Sequence, residues 1–257
     1  MPDIILNGRA IRTEPDQTVL EAARTQGVFI PTLCHHPGLP PSGACRLCLV
    51  EVKAGFRPGL AASCALPSLD GLVVETESPA VVAGRRLVME LLLARAPESG
   101  EIRALAARLG VERTPFPPKN ELCILCGRCV RTCHALGIDA IAFVQRGAQR
   151  RVAVPFDKPS AQCIACQACV AVCPTGAVHA KITATAVELV EWHSSQPLRR
   201  CAGCNRPFVS EGLKNRSDAI AQPHLLPPGA LCPACRRRAT AAAQAAAGIG
   251  SALVPPR

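Results

Sequence analysis

The stretch Cys163-Ile164-Ala165-Cys166-Gln167-Ala168-Cys169-Val170-Ala171-Val172-Cys173-Pro174 decides how this chain is read. Its C-x2-C-x2-C-x3-C-P spacing is the ligand run of a four-iron, four-sulfide cube. Each iron of such a cube keeps one terminal ligand, so four thiolates are required, and soft sulfur suits the cluster better than carboxylate. About 40 residues upstream the spacing recurs in Cys123-Ile124-Leu125-Cys126-Gly127-Arg128-Cys129-Val130-Arg131-Thr132-Cys133. Where two such runs cooperate, the first three Cys of a run hold one cube and the fourth ligates the other. This assigns Cys123, Cys126, Cys129 and Cys173 to one [4Fe-4S] cluster, and Cys163, Cys166, Cys169 and Cys133 to a second. The small residues Gly127, Ala165, Ala168 and Ala171 let the backbone wrap closely around each cube.

The pair departs from a short bacterial ferredoxin in two ways. His134 stands where Pro often follows the fourth Cys, and 29 residues separate Cys133 from Cys163. The Cys set is complete without His134. The insert, with Ile141 to Val144 and Arg151 to Val154 around Arg146-Gly147, predicts two short strands and a turn.

Working outward, all 16 Cys fall into four quartets, each with at least one C-x2-C pair. Disulfide scaffolds also give even counts, but they are short and secreted, and C-x2-C-x2-C is a ligand spacing. The first quartet is Cys34-x10-Cys45-x2-Cys48-x15-Cys64, a plant-type [2Fe-2S] pattern with a longer first loop. Its flanks fit a small sheet-plus-helix domain. Ile4 to Leu6, Asn7-Gly8 and Ala10 to Arg12 read as a hairpin. Asp16 or Thr18 caps a helix over Val19 to Gln26 that stops at Gly27. Leu47 to Val52 and Leu72 to Glu75 supply further strands, giving a β-grasp order. His35 and His36 raise a Rieske alternative, which leaves two of the four Cys without a role; shaping the cluster loop is the plainer reading.

The last quartet, Cys201-x2-Cys204-x27-Cys232-x2-Cys235, has two knuckles and a long spacer. Four Cys so paired make a closed tetrahedral site, so we read a structural Zn2+ in preference to a single iron or a third cube. Arg199-Arg200 and Arg236-Arg237-Arg238 flank it. They lack the interleaved aromatics of a single-strand binding groove, which favours a solvated or subunit-docking face over nucleic acid.

Composition agrees. The 257 residues include 3% aromatics and no Tyr, so any core is thin and metal centres help to hold the chain together. No basic stretch with an apolar core opens the sequence, which predicts a cytoplasmic protein with reduced thiols. The Ala-rich end from Ala239 is broken by Gln244, Gly248 and Gly250, against a membrane span. The formal charge of +10 rests on 29 Lys and Arg against 19 Asp and Glu. An oxidised cluster with four thiolates, or a zinc with four, carries a formal charge of about −2. Four filled sites therefore bring the total to about +2, and reducing three clusters to about −1. The Arg excess reads mainly as internal compensation.

Ile30 to Leu39 and Cys45 to Val52, followed by the two later runs, resemble the iron–sulfur module of NADH-linked oxidoreductases. That module includes the N-terminal part of the large peripheral subunit of respiratory complex I, the small diaphorase subunit of NAD-linked [NiFe] hydrogenases, and the N-terminal part of NAD-dependent formate dehydrogenases. The resemblance covers roughly residues 1 to 182. Many relatives carry a His-x3-Cys-x2-Cys-x5-Cys site between the [2Fe-2S] domain and the cubes; residues 65–122 here contain neither Cys nor His. Two amphipathic helices, Val81 to Ala94 and Glu101 to Leu109, and the connector Pro115 to Pro118 remain. The C-terminal knuckles look similar to those on some hydrogenase-associated electron carriers.

The expected fold class is α+β: a β-grasp [2Fe-2S] ferredoxin domain (1–78), a helical connector (79–118), a two-[4Fe-4S] ferredoxin domain (119–182), a zinc-ribbon-like domain (199–238) and an Ala-rich tail (239–257). No G-x-G-x-x-G or Walker element appears, so the chain itself carries no catalytic residues. The resemblance implies an electron-transfer subunit working between a flavin/NADH-binding subunit and a catalytic subunit of hydrogenase or molybdenum/tungsten formate dehydrogenase type. A free-standing polyferredoxin and a zinc-ribbon nucleic-acid binder are the alternatives.

Overall fold

The computed structural model describes residues 1–220 and 231–246. They form two compact units, one of 1–137 with 141–153 and 168–178, the other of 138–140 with 154–167 and the described residues from 179.

The first unit opens on β1 (Asp3–Leu6) and β2 (Arg9–Arg12), antiparallel with Ile4 opposite Ile11. Asn7 and Gly8 both adopt positive φ, 51° and 76°, the left-handed pair that a two-residue hairpin turn requires. Helix α1 (Val19–Thr25) is capped by Thr18 rather than Asp16. The Thr18 hydroxyl accepts from the Glu21 amide at 3.3 Å while the Glu21 carboxylate accepts from the Thr18 amide at 2.8 Å, a reciprocal capping box. Strands β3 (Leu49–Ala54), β4 (Gly59–Ala62) and β5 (Val73–Glu75) complete a sheet of order β2-β1-β5-β3-β4, with β1 and β5 parallel. This is the predicted hairpin, helix, loop and strand order. β3 starts two residues later than expected because Leu47 belongs to the Cys45–Cys48 turn, and β4 is an addition. Ile4, Leu6, Val19, Leu20, Val50, Val52, Leu72 and Val74 form the core. Gly55 has φ +82°, and a Cβ there would lie 2.5 Å from the Gly71 carbonyl oxygen, so no other residue fits that close approach.

The expected helix pair is present as α2 (Pro79–Arg95) and α3 (Gly100–Arg108). Ser78 and Ser99 cap them, accepting from the amides of Val81 and Ile102. A second core joins Met89 and Leu92 of α2 and Ile102 and Ala106 of α3 to Leu33, Leu47 and Ile124. Helices α4 (Arg128–Ala135) and α5 (Ala168–Ala171) pack together. The predicted insert is a two-stranded ribbon, β6 (Ala142–Val144) with β7 (Arg151–Ala153).

The second unit holds an antiparallel sheet, order β11-β10-β9-β8, of β8 (Ala180–Ile182), β9 (Ala186–Leu189), β10 (Ser194–Arg200) and β11 (Pro207–Ser210). It begins at Ala180, so the expected boundaries at 182 and 199 fall inside one sheet. Pro197 within β10 hid it, since proline lacks the amide of a central strand. Val187, Leu189 and Trp192 are buried in this unit, and α6 (Glu211–Ile220) lies against β10 and β11. Helix α7 (Pro233–Ala246) carries the Arg236–Arg238 run and the start of the Ala-rich segment, which is helical to Ala246. The rest of the expected tail, 247–257, and residues 221–230 of the last quartet's spacer lie outside the described residues. Among the described residues no helix is long and apolar enough to cross a membrane.

Candidate metal centres

The first quartet sits where the two cores of the first unit meet. Cys48 and Cys64 belong to the core under the β1–β5 sheet, Cys34 and Cys45 to the core shared with α2 and α3, and all four are buried. The 3-10 turn Ser63–Ala65 presents Cys64, anchored by Ser63, whose hydroxyl and amide both donate to the Cys48 carbonyl, at 2.8 and 2.9 Å. The thiols are linked in one chain, Cys45 to Cys34 to Cys64 to Cys48. Cys45 and then Cys64 donate to Cys34, holding it far below an ordinary thiol, and Cys64 donates to Cys48, lowering it to about 6. Their partners Cys45 and Cys64 are pushed up in turn by donating to those sulfurs, then by burial. The Cys45 amide also donates to the Cys34 sulfur at 3.4 Å. The adjacent imidazoles are occupied in shaping the loop. The buried ring of His35 has its Nδ1 3.2 Å from the Arg24 guanidinium, and His36 Nδ1 accepts from the Gly38 amide at 3.2 Å.

In the first four-Cys run, Leu125 and Gly127 take positive φ, 55° and 71°, curling the chain between the ligand positions. The amides of Leu125 and Arg128 donate to the Cys123 and Cys126 sulfurs. Burial raises both thiols, and the like charge of Cys173 adds to it in each case. Cys129 is pushed up to about 12 by burial and then by Cys126 and Cys123. Cys173 thus acts electrostatically on thiols of the first run although it is fourth in the second; its sulfur accepts from the Ala177 amide at 3.2 Å. Cys133 is half-buried on α4.

Several positively charged side chains that no motif announces surround these loops. Arg85, buried on α2, donates through Nε and Nη2 to the Leu49 carbonyl beside Cys48, at 3.1 and 2.7 Å, and pairs with Glu77. Arg95, ten residues on and so about 15 Å along the same helix, donates Nε to the Cys123 carbonyl at 2.7 Å and pairs with Glu121. From α4, Arg131 donates to the carbonyls of Pro40 (2.7 Å) and Cys34 (2.5 Å), and Arg128 to that of His35. The Nε atoms of Arg128 and Arg131 and the Thr132 hydroxyl are buried without a protein acceptor. Three orphaned donors on the helix that bears Cys129 and Cys133 fit an electron-rich sulfide cluster rather than an apolar filling.

In the second run, Cys163 and Cys169 are buried and Cys166 half-buried, with Ala165 and Gln167 at φ 48° and 63°. Gln196 of β10 donates Nε2 to the Cys163 carbonyl at 3.0 Å, and the Ser210 hydroxyl donates to the Ile164 carbonyl at 2.7 Å.

The sulfurs of Cys201, Cys204, Cys232 and Cys235 all lie within 4.8 Å of one another, with Cys204 and Cys232 at 3.8 Å. A tetrahedral ion with metal–sulfur bonds of about 2.3 Å has edges of about 3.8 Å. A cube places its thiolates on four separate irons and needs wider spacing. Donation from the Cys232 amide, then that of Gly203, lowers Cys201 to about 6, and the Cys235 amide lowers Cys232. Arg238 donates to the Cys235 sulfur at 3.2 Å, yet hydrogen bonding with Cys204 and the neighbouring thiols pushes Cys235 up to about 11.

Residues 3–79 match the 2Fe-2S iron-sulfur cluster binding domain family and residues 119–180 the 4Fe-4S dicluster domain family. Subunit HndD of the NADP-reducing hydrogenase of Solidesulfovibrio fructosivorans is 35% identical over 211 residues, 69% of this chain and 36% of that protein. The mitochondrial NADH dehydrogenase (ubiquinone) iron-sulfur protein 1 of Solanum tuberosum is 28% identical over 205 residues, 70% of this chain and 27% of its own length. A chain in the crystal structure of an NAD+-reducing [NiFe]-hydrogenase in the H2-reduced state is 33% identical with a TM-score of 0.54, covering 60% of this chain and 74% of that one. The chain therefore matches about a third of the length of the first of these two curated relatives and about a quarter of the second.

Proposed function

The chain belongs to the iron–sulfur subunits of NAD(P)-linked hydrogenases and complex I, and on that premise we propose that it relays single electrons between a flavin/NADH-binding subunit and a catalytic subunit of the same complex. One [2Fe-2S] and two [4Fe-4S] clusters supply the one-electron chemistry when bound. Cys34, Cys45, Cys48 and Cys64 hold the first, and the hydrogen-bonded linkage of all four thiols supports one shared site. Cys123, Cys126, Cys129 and Cys173 hold one cube; the reach of the Cys173 charge to Cys123 and Cys126 supports this exchange of the fourth ligand. Cys163, Cys166, Cys169 and Cys133 hold the other, by the same repeat logic.

One observation carries the reading: the [2Fe-2S] loop and the first cube's helix are joined directly. Arg131 and Arg128 bond to the carbonyls of Cys34 and His35, and Cys34, Cys45 and Cys126 share one core. Helix α2, in the stretch where many relatives carry a further cluster, acts as a strut whose Arg85 and Arg95 fix the two ligand loops. The last quartet holds a structural zinc, supported by its thiol spacing.

Purified as it occurs, the protein should contain about ten irons and one zinc and should copurify with a flavoprotein. Zinc without iron would sink the reading, and a cluster-loaded chain that purifies alone would favour the free carrier.

A further inference from the structure

The two four-Cys runs are repeats in backbone as well as spacing. Leu125 and Gly127 of the first correspond to Ala165 and Gln167 of the second, and all four take positive φ. The carbonyl of the first Cys is clamped in both: Arg95 Nε donates to Cys123 at 2.7 Å and Gln196 Nε2 to Cys163 at 3.0 Å. The clamps come from different parts of the chain, a connector helix and a C-terminal strand, yet they do the same thing to the same peptide.

They differ in charge. Arg95 is a cation paired with Glu121 and acts on Cys123 more strongly than that carboxylate does, while Gln196 is neutral. The contrast continues through the ligand helices, where Arg128 and Arg131 of the first run stand opposite Ala168 and Ala171 of the second. A further clamp on the second loop is neutral too: the Ser210 hydroxyl on the Ile164 carbonyl. Beside it, a Cβ on Gly212 would lie 3.0 Å from the Ile164 Cα, so backbone alone closes on the loop. Reduction adds one negative charge to a cluster that is already anionic. Half-buried cations favour that step more than amides or hydroxyls do, because surrounding charge and hydrogen bonding set the potential.

Resting on the ligand sets proposed above, we infer that the cube on Cys123, Cys126, Cys129 and Cys173 has the higher reduction potential, set by Arg95, Arg128 and Arg131. Gln196 is the neutral counterpart that leaves the other cube lower. The first electron to enter the dicluster domain rests on the arginine-flanked cube. Arg95 and Gln196 are positioning residues: each donates to a ligand-loop carbonyl, and Arg95 adds its charge there.

The test is a dithionite redox titration of the full, cluster-loaded chain followed by electron paramagnetic resonance, with iron counted in each sample. Cys126→Ser and Cys166→Ser assign the two cube signals. Arg95→Gln keeps a donor and removes the charge, so it should weaken reduction of the higher-potential cube about tenfold, about 59 mV for a one-electron couple, without moving the other. Arg95→Lys should restore it. Gln196→Arg should raise only the lower cube and narrow the gap. Iron well below the expected total in the wild type, or Cys126→Ser and Cys166→Ser that leave both signals intact, would overturn the ligand sets beneath the inference. Full iron with equal potentials, or with the Cys163 cube higher, would overturn the inference itself. If Arg95→Gln does not fold, Gln196→Arg and Arg131→Gln decide between the same outcomes.

Discussion

The first and last quartets present the same four thiols in opposite settings. The first is embedded in two large cores, with Leu20, Leu47, Val50, Val74 and Met89 fully buried around it. Among the described residues, the hydrophobic cluster around the last consists of Cys201, Cys232 and Cys235, with Cys204, Phe208 and Leu231 packed against it. In the amino-terminal domain the fold builds the site. At the C-terminal knuckles the apolar cluster among the described residues is small and four thiols lie within 4.8 Å of one another, so a bound cation is expected to supply the stability that the core supplies at the first quartet.

Removing the metal is the strongest way to break this contrast. Cys232→Ser, or a zinc chelator, should abolish hydrogen-exchange protection in α7 and at the β10–β11 end of the sheet, because structural zinc contributes on the order of 10 kcal/mol in small sites. Cys48→Ser should lose the [2Fe-2S] spectrum while β1 to β5 stay protected. Retained protection around Cys201 after zinc release would show that the knuckles stand without the ion.

A smaller effect is expected at Arg85. Arg85→Met strands the Leu49 carbonyl and removes a charged double donation, so the amino-terminal domain should lose about 2 kcal/mol in urea unfolding, with the C-terminal transition unmoved. An unchanged midpoint would mean that α2 does not brace the first quartet.

The smallest is at the α1 cap. Thr18→Ala should cost the amino-terminal domain about 1 kcal/mol. Glu21 is held below the ordinary carboxylate range chiefly by the Thr18 amide. Its depressed value means that this contribution is complete above the unfolded value of about 4.3 and is lost as pH falls through the folded one. The wild type should therefore lose the advantage in acid, and Glu21→Gln should flatten that part of the pH profile.

Much of this was legible in the residues. The Asn7-Gly8 turn, the Thr18 cap, the strands around Cys48 and Cys64 and the α2–α3 pair rest on local rules of turn chemistry, capping and period. The β8–β11 sheet was not, because Ser194 to Arg200 shows no alternation and contains Pro197. The arginines were visible only as composition. Nothing in the sequence distinguishes Arg95, which clamps a ligand carbonyl, from Arg103, an exposed residue paired with Glu98.

The sequence by itself grouped the sixteen Cys into four quartets, each with a C-x2-C pair, because that spacing fits a single turn of backbone and is decided within a few residues. The tertiary structure decided how those thiols are surrounded: the linked thiols of the first quartet, the close sulfur spacing of the last, and a cation on the Cys123 carbonyl against an amide on that of Cys163. These bring together groups 11 to 33 residues apart, and only the packing of whole elements can set such distances.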